Sequence, residues 1–164
     1  MHWRKLAGIL SPFVLVAGAE PALAKTDRAL EIAATATVCD ALLTIPAQVN
    51  ATLRGQGWKS ATPMMGGLSM AAITGSEQFR KGRDTALVSA AGSIVGPNCQ
   101  FDFAKVPEQM RTAVQTVLTS QLGQPTAVKQ GQITWKRSDV SISLVNRSTD
   151  TATILWLPEK KASN

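Results

Sequence analysis

Residues 132–157 read QITWKRSDVSISLVNRSTDTATILWL. A first short run, 132–136, carries Ile133 and Trp135. Val140, Ile142 and Leu144 then alternate with Ser141 and Ser143, and Ala152, Ile154 and Trp156 alternate with threonines and leucines. A period of two sends successive side chains to opposite sides of an extended chain. Ser138-Asp139 and residues 146–150 supply turn chemistry between the runs. Three such strands with short connections predict an antiparallel meander.

The segment before it reads as a helix. Pro107 suits a helix start, Glu108 falls in the first turn, and Met110, Val114, Val117, Leu118 and Leu122 share a face. Gly123 and Pro125 stop it. Further back, Cys99, Phe101 and Phe103 alternate with Gln100 and Asp102, the mark of a half-buried strand. Residues 85–91 read as a weaker strand, 75–84 as a polar turn or hairpin tip with Arg80, Lys81 and Arg83, and 68–74 as a short strand. Residues 62–67 form a Pro-Met-Met-Gly-Gly loop.

Residues 26–43 predict a first helix with Asp27 and Glu31 near its start and Leu30, Ala34, Val38, Ala41, Leu42 and Ile45 on its apolar face. Pro46 opens a second helical segment, with Thr44 as its expected cap, Val49 and Leu53 as its apolar face, and Gly55 and Gly57 at its end. Trp58 follows as a core plug or strand start. The expected fold class is therefore α+β, with amphipathic helices packed on antiparallel sheet. A faint echo, Pro46-Ala47-Gln48 against Pro107-Glu108-Gln109, suggests two helix-plus-meander halves, 26–104 and 105–159, within one domain.

Residues 1–24 have the three parts of a secretory signal. Arg4 and Lys5 precede an apolar run over 6–19, and Ala22-Leu23-Ala24 offers small residues for cleavage before Lys25. The run is shorter than the roughly 20 residues a membrane span requires, and no later run is longer, so no transmembrane segment is expected after cleavage. Residues 25–159 then form a single exported domain and 160–164 a polar tail. Cys39 and Cys99 are the chain's two cysteines. An even number in an exported chain predicts one bridge between them. The formal net charge is +6, with the basic residues scattered, which fits a solvated surface.

What the composition excludes is as informative. His2 is the one histidine and lies in the expected signal, and the chain has no tyrosine. A processed chain cannot build a Ser-His-Asp or Cys-His arrangement or a histidine-ligated metal site. There is no phosphate loop and no dinucleotide fingerprint; Gly55-Gln56-Gly57 reads as a helix stop. No cofactor and no metal is expected, and the export signal argues against nucleic acid.

Carboxylates remain. Asp40 and Asp102 each neighbour a cysteine and an apolar run, and a Cys39–Cys99 bridge would let them approach as an acid–base pair. The alternative is a salt bridge or plain exposure. Trp135 and Trp156 on neighbouring strands could form an exposed platform for a sugar, a peptide or an apolar partner; core packing is the commoner fate of such side chains. Met64, Met65 and Met70 around Gly66-Gly67 suggest an adaptable contact surface, a soft-metal site or a loop lying on the core. The function expected is non-catalytic: an exported binding or interaction domain of a bacterial cell envelope, periplasmic or secreted, whose partner is an envelope protein or small ligand. The alternative is an exported carboxylate-dependent hydrolase or lyase.

Overall fold

A computed structural model describes residues 20–159. The expected signal over 1–24 lies outside the described residues as far as residue 19, and the polar tail 160–164 lies outside them. The elements run α1 (Glu20–Val38), a 3-10 turn (Cys39–Ala41), α2 (Pro46–Gly55), β1 (Lys59–Ser60), β2 (Met64–Met65), β3 (Leu68–Ser69), α3 (Met70–Thr74), β4 (Ser76–Lys81), β5 (Asp84–Ser89) and β6 (Asn98–Ala104). There follow α4 (Glu108–Leu122), β7 (Ala127–Lys129), β8 (Gln132–Arg137), β9 (Val140–Asn146) and β10 (Thr151–Pro158). Eight strands make one antiparallel sheet in the order β1-β4-β5-β6-β10-β9-β8-β7, and β2–β3 form a separate small hairpin. The class is mixed α+β.

The meander emerges as expected. Trp135, Ile142 and Trp156 stand side by side across β8, β9 and β10, and Ile133, Leu144 and Ile154 form the next row. That second row continues through Phe101 on β6, Ala86 on β5 and Phe79 on β4. These side chains belong to one apolar cluster with Ile32 and Ala36 of α1, Val49 and Leu53 of α2, and Val114 and Leu118 of α4. The helices therefore cover one face of the sheet, and each large side chain buried there contributes about 1.5–3 kcal/mol. Trp58 stands edge-on to Phe101 at 5.8 Å and to Phe103 at 6.5 Å, closing the core beneath the end of α2.

The bridge joins Cys39, in the 3-10 turn after α1, to Cys99 on β6, with Cα atoms 6.4 Å apart and both residues buried. It ties the first helix to a central strand.

Several local expectations need correction. The buried face of α1 is Ala29, Ile32, Ala33 and Ala36, whereas Leu30 is 46% exposed and Ala34 and Ile45 also face outward. An alanine-rich helix offers two apolar stripes of similar strength, and packing along α4 and β10 selects one of them. Thr44 does not cap α2. Ile45 occupies the cap position without a side-chain bond, and the Thr44 hydroxyl donates to the Ala41 carbonyl at 3.2 Å. Residues 70–74 are helical, started by Ser69, whose Oγ accepts from the Ala71 amide at 3.2 Å. Residues 76–81 form β4, because pairing with β5 on one side and β1 on the other satisfies a polar segment that has little strand signal of its own.

Gly75 ends α3 in the left-handed region at φ 71°. A Cβ there would stand 2.9 Å from the Ser93 Cα. Both effects oppose Gly75→Ala, which should lose about 1–3 kcal/mol in urea denaturation. An unchanged midpoint would contradict this packing of the β5–β6 loop on α3.

Candidate functional site

The opposite face of the sheet carries the side chains that alternate with the core. Across its middle run Arg80, Thr85, Asp102, Thr153, Val145 and Gln132, paired strand by strand. Two cavities open on this face, and among the described residues no helix residue lines either. One of about 340 Å³ lies over β5, β6 and β10 and is lined by Arg83, Asp102, Arg147, Thr151 and Thr153 among others. The second, about 270 Å³, lies over β4 and β5 and shares Thr85 and Asp102 with the first.

Asp102 organises the floor between them. Its Oδ1 accepts from the Thr153 hydroxyl at 2.6 Å and its Oδ2 from the Gln100 amide at 2.8 Å. Thr153 is fully buried. The Arg147 Nε donates to the Thr153 Oγ1 at 3.3 Å. A second polar group lies on the same face toward β8, where Gln132 Nε2 donates to Ser143 Oγ at 3.1 Å and the Thr134 and Ser143 hydroxyls meet at 2.9 Å. Two hydrogen bonds, one to each oxygen, fix the orientation of this half-buried carboxylate.

A larger cavity of about 640 Å³ lies at the end of the sheet, between α1, the β4–β5 turn and the start of α4. An ion-pair chain lines one side. Arg28 bonds Glu31 at 2.8 Å and also Asp84, and Lys81 reaches Glu31 at 2.7 Å. Arg28 also lies over the Phe103 ring, 5.6 Å from its centroid. Burial by itself would raise the Glu31 carboxyl. The bonds from Lys81 and Arg28 outweigh it and hold the carboxyl below its ordinary range. The folded pKa is thus lower than the unfolded one. The resulting stability is present above about pH 4.5 and is lost as the pH falls through the folded value. Glu31→Gln should flatten the acid side of the stability curve, read as urea midpoints from about pH 6 down to pH 3, and leave its alkaline side unchanged. Equal slopes for both proteins would rule this out.

The structure separates the two candidate carboxylates. Asp102 is on the helix-free face, whereas Asp40 follows Cys39 on the helix side. Asp40 Oδ2 pairs with Arg137 at 2.7 Å and its Oδ1 accepts from the Trp156 Nε1 at 3.1 Å. The bridge does not bring the two together, because β6 turns Cys99 and Asp102 to opposite faces. Trp135 and Trp156 share a face, as expected, but both are fully buried against the helices, so the exposed platform is not formed. Met64 is exposed on the β2–β3 hairpin and Met70 is half-buried at the start of α3. Among the described residues, no three His, Cys, Asp or Glu side chains converge.

Arg83, Arg147, Gln100 and Thr153 were not singled out as site residues by sequence reasoning. Their one legible signal is alternation, since Gln100 and Thr153 occupy the polar positions of strands whose other positions are core. No protein-family model, no curated protein and no solved structure matches this chain.

Proposed function

We propose that this chain is an exported, non-catalytic binding domain that takes its ligand on the helix-free face of the sheet, in a bacterial periplasm or outside the cell. The observation that carries the reading is the Gln100–Asp102–Thr153–Arg147 network, fixed beneath a cavity of about 340 Å³ on an uncovered face. Preformed polar groups at the floor of an open cavity are what a ligand site requires. Export is supported by the residue pattern of 1–24 and by the buried bridge, which suits an oxidising compartment. No helix among the described residues is long and apolar enough to cross a membrane. Binding is favoured over carboxylate catalysis because both Asp102 oxygens are already engaged and Asp40 lies on the other side of the sheet. An acid–base pair needs two carboxyl groups facing one substrate bond. The two-halves reading belongs here also: α2 with β1, β4, β5 and β6, and α4 with β7, β8, β9 and β10, place their last strands side by side at the sheet centre.

Two measurements test this. The protein recovered from an exporting bacterial host should begin at Lys25, and a start at Met1 would refute export. Amide NMR of that protein against a panel of small acids, sugars and short peptides should show saturable shifts at Thr85, Gln100, Asp102 and Thr153. Shifts confined to α1 or α4 would refute the face.

A further inference from the structure

We infer that the helix-free face carries an oxyanion site, in which Arg83 and Arg147 together hold a carboxylate or phosphate group of a small ligand. The inference rests on the reading of that face as the binding face. Both arginines line the cavity of about 340 Å³. Arg83 comes from the two-residue turn between β4 and β5, and Arg147 follows the end of β9. Between them lie Ala104 on β6 and Thr151 on β10, which are register partners. Two small side chains at that point leave the room that larger ones would fill.

The ion pairs sharpen the contrast. Arg28, Arg54, Lys81, Lys136 and Arg137 each have a carboxylate partner. Arg111 directs its Nη1 at the Val106, Ser148 and Thr149 carbonyls. Arg83 and Arg147 make no ion pair among the described residues; Arg80 on the same face makes none either, but it lines the second cavity and not the one these two share. Arg147 is nonetheless oriented, since its Nε donates to Thr153, whose hydroxyl is committed to Asp102. That leaves the outer guanidinium nitrogens, which form the fork suited to oxyanions. Asp102 opposes an anion at close range, but both its oxygens are engaged by Thr153 and Gln100, and two arginines outweigh it in charge.

Lys105 is a non-glycine residue at φ 57°, exposed, with no ion pair among the described residues. It lines the larger cavity, which adjoins the first through Arg83 and Ala104. It does not line the cavity that Arg83 and Arg147 share.

The test is a set of amide-shift titrations on the exported protein with sodium phosphate, sodium acetate and neutral methyl glucoside, at constant ionic strength. Phosphate, acetate or both should give saturable shifts at Ala104, Thr151 and Thr153. The dissociation constant should rise about tenfold or more in Arg83→Gln/Arg147→Gln. It should not move in Lys59→Gln/Lys129→Gln, which removes the same charge at the two sheet edges. Phosphate binding alone marks a phosphate ligand and acetate binding alone a carboxylate. Unchanged affinity in the arginine variant, or equal loss in the edge variant, overturns the inference. Shifts at these amides with the glucoside and neither anion overturn it while the binding face stands. Anion shifts only at distant amides remove both, and no saturation with any probe removes the oxyanion site. Both arginines are exposed, and Arg83→Gln alone serves should the double variant misfold.

Discussion

Reduction of the Cys39–Cys99 bridge is expected to lower stability by about 2–4 kcal/mol and the melting temperature by roughly 10 °C. The sequence separation is 60 residues. Loop-closure entropy for a ring of that size comes to about 4 kcal/mol, and residual structure in the reduced chain lowers the realised value. Both cysteines are fully buried, so no solvated thiol compensates the loss. Urea denaturation of the native protein, with and without reductant, is the direct measurement, and Cys39→Ala/Cys99→Ala should resemble the reduced form. Intact mass should change by two hydrogens on reduction. Free thiols in the unreduced native protein, or identical urea midpoints, would show that the bridge does not form.

Trp156→Ala should cost about 3–5 kcal/mol, the range for deleting a large buried aromatic. The more discriminating comparison is with phenylalanine. Trp156 Nε1 donates to Asp40 at 3.1 Å, so Trp156→Phe loses that bond as well as packing. Asp40 keeps Arg137 and is exposed, so the bond itself accounts for about 0.5–1.5 kcal/mol. Trp135 is as deeply buried, yet its Nε1 has no hydrogen-bond partner among the described residues. Trp135→Phe therefore loses packing but no bond, and it relieves a buried donor. Urea midpoints should place Trp135→Phe above Trp156→Phe, and the reverse order would contradict these environments.

The legibility of this chain follows its periodicities. Strands with strict alternation, such as 98–104 and 140–146, declared themselves because two unlike faces require two unlike sets of side chains. The helix over 108–122 did so through its apolar stripe and its glycine stop. The strand over 76–81 did not, because Ser76, Glu77, Gln78, Arg80 and Lys81 leave Phe79 as its one large apolar residue. The site was half legible. In the sequence Asp102 stands out by its nearness to a cysteine and an apolar run, whereas what places it in a cavity is its position on the polar side of β6.

From the sequence alone came the α+β class, the C-terminal meander, the Cys39–Cys99 pairing and the exclusion of histidine chemistry from a processed chain. Each depends on local pattern or on which residue types are present. The tertiary structure decided which stripe of α1 is buried, that Trp135 and Trp156 are core, that Asp40 and Asp102 lie on opposite sides of the sheet, and that Arg83 and Arg147 line one cavity. Alternation reveals that a strand has two faces, but only the packing of helices against one of them determines which is buried and which stays uncovered.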